Sequence, residues 1–408
     1  MANLCDRSEC TGCAACAAVC PRGAISFEKD KLGFSYPIID KALCVDCKRC
    51  EKTCPSLVKQ KGNFPQEAIA CHVMDESERL KSSSGGFATL LATKFVESGG
   101  VVYGCSFETP MCVKHIRCTT VGDLLKLRGS KYVQSSLNEI YVPLQQDLKK
   151  NMKVLFIGTP CQVAGVKSKF SKYDNLFVVD LVCHGIPSLQ LLHDTLPWGL
   201  HLNDEYQFSF RNNISYRISV QKNNKPVYER PLYKDIFYKG FFNGLIFRTS
   251  CYRCFYAKPE RISDLTIGDF WGLKSEKITD TEKGVSLVLV NTKNGELLLG
   301  KLGDKLVSER RSLQEAFKKN AQLNHPYREN FRAKLFRNIY PLFGYKCAIW
   351  ASVPDKLIGS RIKYKLHKNT AKNSTFSLYN FFHILYSNKT ITIISSTNIL
   401  NILKALLI

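Results

Sequence analysis

The chain has 408 residues, 45% of them hydrophobic, and a net charge of +23 at pH 7. That length predicts two or three domains with ample core, and the apolar content excludes an intrinsically disordered protein. The opening MANLCDRSEC lacks the basic-then-apolar pattern of a signal peptide, and no clean apolar run reaches the roughly 18 residues of a membrane-spanning helix, so a cytoplasmic location is expected.

Eighteen cysteines are present. In a chain without a secretory signal, clustered cysteines point to metal or redox chemistry rather than disulfides. Eight of them form two identical runs. Cys10-x2-Cys13-x2-Cys16-x3-Cys20-Pro21 is followed by Cys44-x2-Cys47-x2-Cys50-x3-Cys54-Pro55. This is the spacing of bacterial two-cluster ferredoxins, in which the fourth cysteine of each run ligates the other cluster. The predicted sets are Cys10, Cys13, Cys16 with Cys54, and Cys44, Cys47, Cys50 with Cys20, each around a [4Fe–4S] cluster. Zinc sites instead use separated C-x2-C pairs or histidines. Between the runs, AISFEKDKLGFSYPII alternates enough for a hairpin around Gly33. Cys5 lies outside the pattern and has no assigned role. Such a module moves single electrons and selects no substrate.

The composition changes after Phe64-Pro65. Residues 68–73 read as a strand, and Phe87, Leu90, Leu91 and Phe95 share one face of a helix ended by Gly99-Gly100. Ser82-Ser83-Ser84-Gly85-Gly86 precedes that helix. Its open N–H groups could receive a pyrophosphate, or a serine could simply cap the helix. Further strands are predicted at 101–105, 153–157 and 177–182. The segment 127–132, Leu-Arg-Gly-Ser-Lys-Tyr, is a second small, basic loop.

Two of these strands run into cysteines. Val154–Ile157 stops at Gly158-Thr159-Pro160 and then Cys161; the next strand ends in Leu181-Val182-Cys183-His184. Carboxyl ends of strands in an α/β sheet are where ligands bind. Cys161 could be a nucleophile, a metal ligand or a small apolar residue. The turn lacks the glycine and lysine spacing of a phosphate loop. Cys183 and His184 are adjacent, so in extended chain they point to opposite faces, against a thiol–imidazole pair. Cys251-x2-Cys254 adds two more thiols; alone it fits half a zinc site or a redox pair. Asp264 and Asp269 read as structural turn caps.

KSSSGGFATLL, RGSKYVQSS, VLFIGTPCQVAGV, LVCHGIPS and CYRCFYAKPERISDLTIGDFWG occur in that order. Together they resemble the family of coenzyme F420 hydrogenase and dehydrogenase beta subunits, over about residues 65–290. The resemblance implies an iron–sulfur flavoprotein oxidoreductase with FAD and a third [4Fe–4S] cluster. Carried over to this chain, the cluster ligands are Cys161, Cys183, Cys251 and Cys254. The FAD candidates are Ser83, Ser84, Gly85 and Gly86, with Gly129, Ser130, Lys131 and Tyr132; Lys131 could pair with a phosphate or with reduced flavin, or stand at the surface, and Trp271 could pack on the flavin, though core packing is expected.

The expected organisation is an α+β ferredoxin-like module at 1–60, an α/β flavin and iron–sulfur domain at 65–290, and a basic region of unknown role at 291–408. Residues 330–408 carry twelve Lys/Arg and one acidic residue. A basic face of this kind attracts an acidic electron carrier, an anionic cofactor or anionic lipid, or is merely solvated. Peripheral membrane contact through this region stays open. No nucleic-acid motif accompanies it, and nucleic-acid binding is not expected. Expected partners are a soluble electron carrier or redox subunit and a small hydride donor or acceptor, a deazaflavin coenzyme among them. The alternative is a non-catalytic electron-transfer subunit docked in a larger complex. No catalytic acid or base is identified.

Overall fold

The computed structural model describes residues 2–357 and 359, apart from 198, 199, 201, 204, 213, 214 and 224. The basic segment past 359 and the apolar stretch at 391–408 lie outside the described residues. Among those described, no helix is long and apolar enough to cross a membrane.

The strands in chain order are β1 (Ile25–Lys29), β2 (Ser35–Ile39), β3 (Glu67–Val73), β4 (Val101–Thr109), β5 (Cys112–Cys118), β6 (Val154–Gly158), β7 (Leu176–Leu181), β8 (Tyr206–Asn212), β9 (Ser215–Lys222), β10 (Lys225–Pro231), β11 (Leu265–Asp269), β12 (Ser286–Val290) and β13 (Leu306–Arg311). Eight of them form one mixed sheet in the order β13-β3-β12-β11-β7-β6-β4-β5. Its middle, β4-β6-β7-β11, is parallel, and the flanking pairs are antiparallel. The architecture is α/β, as the strand and helix alternation predicts.

The residues of the sheet's middle explain their placement. Every residue of β12, Ser-Leu-Val-Leu-Val, is buried, and β6 is buried but for Ile157. Strands covered on both faces read as near-continuous apolar runs. Helix Phe87–Glu97 buries Phe87, Leu91 and Phe95 against one face. Helix Pro160–Phe170 buries Val163, Ala164 and Val166 in a separate cluster with Val154, Phe156 and Val178.

The predicted hairpin forms as β1 and β2, paired Ile25 to Ile39. Asp30 Oδ1 accepts from the Leu32 and Phe34 amides, and Gly33 takes φ +83° at the turn. The ribbon β8–β9–β10 was not foreseen; its alternating polar residues hid it among loops. Past residue 290 the chain still builds the fold. β13 pairs with β3, and helix Phe331–Ser352, bent at Gly344, packs Phe336, Tyr345 and Ile349 with Phe237 and Phe241.

Candidate functional site

Three groups of cysteines gather. In the first module, left-handed residues turn the chain between thiols: Gly12 and Ala14 in one run, Asp46 and Lys48 in the other. Cys10, Cys13, Cys16 and Cys54 line one small cavity, together with Cys5. Cys20, Cys44, Cys47 and Cys50 line another. These groupings are the two sets expected from the spacing. Burial pushes the Cys13 thiol up to about 12. Cys5 hydrogen-bonds Cys10 and Cys54, and this is the main reason both of those thiols fall to about 6.

The third group lies at strand ends. Cys161 stands in the first turn of helix Pro160–Phe170, just after β6. Thr159 and Gln162 form a capping box around it, and Pro160 opens the helix. Cys183 follows β7, and Cys251 and Cys254 sit on and just after the 3-10 turn Thr249–Arg253. Burial first, then neighbouring thiolates, lifts these groups. Cys161 rises to about 11 with Cys254 beside it, and Cys251 to about 12 with Cys254 and Cys161. Cys183 rises well above its usual value, with Cys251, Cys161 and Cys254 adding to burial. All four thiols are half-buried and held protonated, Cys254 by burial and the other three by burial and neighbouring thiolates; a cationic cluster core would neutralise them. Among the described residues, no three or more His, Cys, Asp or Glu close around a single ion. The buried pair Arg261–Asp180, at 3.0 Å, ties this loop region to β7.

A cavity of about 350 Å3 opens at the carboxyl ends of β6, β7 and β11. Cofactor clefts have this size and place. Ser83, Ser84, Gly86, Gly129, Ser130, Lys131 and Tyr132 line it, and so does Cys183. The two small-residue loops meet directly: the Ser130 amide donates to Ser83 Oγ at 3.1 Å. Gly85 is not a lining residue. A Cβ there would stand 2.3 Å from the Cys71 carbonyl oxygen, so this glycine lets the loop lie on β3 and β12.

Lys131 lines the cavity, but its ammonium is engaged within its own loop. Its Nζ donates to the Leu127 and Arg128 carbonyls at 2.8 and 2.7 Å and to Lys126 at 3.2 Å. Burial lowers it to about 8. It therefore braces its own loop. Trp271 is 42% exposed and lines the cavity rather than the core. Asp264 is structural, accepting from the Val178 amide and Thr292 hydroxyl at 2.8 and 2.7 Å. Asp269 is not a simple cap: it lines the cavity and pairs with Arg211 at 2.9 Å.

Arg211 and His115 were missed. Arg211 comes from the unforeseen ribbon. It donates to the Ser83 carbonyl and to Tyr216 Oη, and stacks 4.3 Å over the Tyr216 ring. Its Nε, like that of Arg128, is buried without a hydrogen-bond partner, and both residues line the cavity. Buried donors left unpaired in this way are costly. They fit an anionic group such as a cofactor's pyrophosphate. His115 is 2% exposed. Its Nε2 donates to the Ile157 carbonyl at 3.0 Å, Ser135 Oγ donates to Nδ1 at 3.0 Å, and Gln162 donates to Ser135 at 2.9 Å. Burial lowers it to about 4, so the ring is neutral.

The cysteine groups adjoin one another. Gly165, on the helix of Cys161, faces Cys13. Burial raises the Tyr256 hydroxyl, and charge on Cys161, Cys13, Cys254 and Cys54 adds to it, so this ring stands among both groups.

Comparison with known proteins matches residues 9–58 to the 4Fe-4S dicluster domain and residues 151–315 to the C terminus of the coenzyme F420 hydrogenase/dehydrogenase beta subunit. The chain is similar to the coenzyme F420-dependent sulfite reductase of Methanocaldococcus jannaschii, 27% identical over 55% of this chain and 35% of that protein. It is also similar to one of the subunits of the F(420)H(2) dehydrogenase of Methanosarcina mazei, 21% identical over 40% of this chain and 49% of that one. It thus spans about a third and a half of these two relatives' lengths. A solved structure of the F420-reducing [NiFe] hydrogenase complex from Methanosarcina barkeri aligns with 65% of this chain and 91% of its own, at 19% identity and TM-score 0.44. The ordered motifs and the two matched segments agree: residues 151–315 match the C-terminal domain of the coenzyme F420 hydrogenase/dehydrogenase beta-subunit family, behind a 4Fe–4S dicluster domain at residues 9–58.

Proposed function

We propose that the chain is an FAD- and iron–sulfur-dependent oxidoreductase. It would pass electrons between a hydride-exchanging small molecule, or a deazaflavin-type coenzyme, and one-electron carriers. The observation that carries this reading is the shared wall of the cavity and the third cysteine group, since Cys183 belongs to both.

FAD, when bound, supplies two-electron hydride exchange and one-electron release. The residues that would hold it are Ser83, Ser84 and Gly86 before helix Phe87–Glu97, and Gly129, Ser130 and Tyr132 opposite. The helix N-terminus and the free Nε groups of Arg128 and Arg211 favour an anion there. Cys161, Cys183, Cys251 and Cys254 would hold a third [4Fe–4S] cluster. Tyr132, packed on Phe210, Tyr216 and Phe241, keeps water from one side of the cavity.

The order of transfer follows from adjacency. The third group borders Cys13 through Gly165. The group of Cys20, Cys44, Cys47 and Cys50 is then terminal. Cys47 is exposed there, beside Leu43 and Val45 at 44% and 60% exposure and the exposed cations Lys41, Lys48 and Arg49. An acidic soluble carrier or redox subunit suits that surface. Domains at 1–60 and 65–290 and a cytoplasmic setting belong to the same reading.

Anaerobic reconstitution with iron, sulfide and flavin analysis tests it. About twelve irons, four per cluster, and one FAD per chain are expected; about eight irons and no flavin would leave only a ferredoxin module. A non-catalytic docking subunit is the second reading, favoured by the relative named as part of a dehydrogenase. Rapid reduction of the bound flavin by an added hydride donor excludes it.

A further inference from the structure

We infer that Arg248 tunes the cluster held by Cys10, Cys13, Cys16 and Cys54, raising its reduction potential so that it draws electrons from the third group. The inference rests on the cluster reading of those cysteines.

Arg248 is 1% exposed. Its backbone belongs to the third cysteine group. The Arg248 amide donates to the Ile186 carbonyl, three residues past Cys183, and its carbonyl accepts from the Cys251 amide, both at 2.9 Å. Its side chain belongs to the first module. Nε donates to the Cys10 carbonyl at 2.6 Å, and Nη2 to Cys10 Sγ at 3.5 Å and to the Ser35 carbonyl at 2.9 Å. Nη1 donates to Gln134 Oε1 at 3.1 Å. The guanidinium lies 4.1 Å over the Tyr36 ring.

Room for this group is built into the first motif. Gly12 sits at φ +71°, and a Cβ there would come within 2.6 Å of Gln134 Nε2 and 3.2 Å of Arg248 Nη1. No carboxylate of the described residues forms an ion pair with Arg248. A buried, always-charged guanidinium without a counter-ion is costly. A cube bound by four thiolates is negative in both redox states and more so when reduced. It supplies that counter-ion, and the cation in turn stabilises the reduced form most. Hydrogen bonds to the ligating sulfur act in the same direction.

The test is a potentiometric titration of the reconstituted full chain, read by electron paramagnetic resonance, with iron counted in parallel. Arg248→Gln should lower one cluster's midpoint by at least about 59 mV, a tenfold change for one electron. The third cluster should fall less, and the terminal one not at all. Gln134→Glu keeps the side-chain shape, gives up the Nε2 bond to the Thr11 carbonyl, puts a carboxylate on the guanidinium, and should lower the same midpoint. If Arg248→Gln sheds iron, Gln134→Glu decides. Unchanged midpoints in either variant with full iron overturn the inference. A wild-type chain with only two clusters and no flavin would defeat the proposed function instead, and the Cys10 cluster would still report on Arg248.

Discussion

Gly165 lies against Cys13: a Cβ on it would stand 2.7 Å from the Cys13 Cβ and 3.0 Å from its Sγ. Cys161 is one helical turn away on the same helix, Pro160–Phe170. The helix that carries a thiol of the third group thus touches the first module where no side chain intervenes. Gly165→Ala should cost about 1–3 kcal/mol through overpacking and slow transfer from the flavin side to the ferredoxin clusters. Denaturation of the loaded protein and rapid-mixing reduction measure both. Gly300→Ala, with open space around it, is the control and should leave both intact.

Cys161→Ser should lower iron by about four atoms, one cubane. Cys71 is fully buried, more so than Cys161, and lines none of the three cysteine groups. Cys71→Ser should leave iron unchanged. Equal iron in Cys161→Ser and wild type would remove Cys161 from the ligand set.

Arg211→Met should weaken FAD binding by tenfold or more, since a hydrogen bond to a charged group contributes about 1.5–3 kcal/mol. Fluorescence titration of the flavin-free protein reads this. Arg217, paired with Glu229 at 2.9 Å on the same ribbon and about a third exposed, gives the comparison. Arg217→Met should leave the affinity as it is.

His115 gives a pH prediction. Burial holds its folded value near 4, below the unfolded value of about 6.5. Between those values the unfolded chain binds the extra proton, so stability falls as pH falls. The contribution is complete above pH 6.5 and declines by about 1.4 kcal/mol per pH unit down to about 4. His115→Gln should flatten that part of the profile. The difference between the two proteins at pH 7 and pH 5, by denaturant titration, checks it; parallel profiles would show that His115 does not titrate in this window.

The sequence by itself determined whatever is local. The spacing of Cys10 to Cys16 and of Cys44 to Cys50 specified three members of each group, because a short loop can wrap only what lies within its reach, and the exchange of Cys20 and Cys54 between the groups follows the two-cluster ferredoxin pattern. Apolar runs marked β3, β4, β6 and β7, because strands covered on both faces need unbroken burial. The turn at Thr159-Pro160-Cys161 announced a strand end, since proline and a capping box start helices. Tertiary structure alone decided which distant residues meet. Arg211 enters the cavity on a ribbon whose polar alternation carries no site signal. Arg248 reaches Cys10 across 238 positions. Trp271 and Asp269 face the cavity rather than the core, because the close of β11 sets their direction. Lys131 turns onto its own loop because three carbonyls at the end of a 3-10 turn lie within its reach. A motif records the residues that bind; the order in which the cysteine groups abut is fixed only when Gly165 lets two modules close on each other.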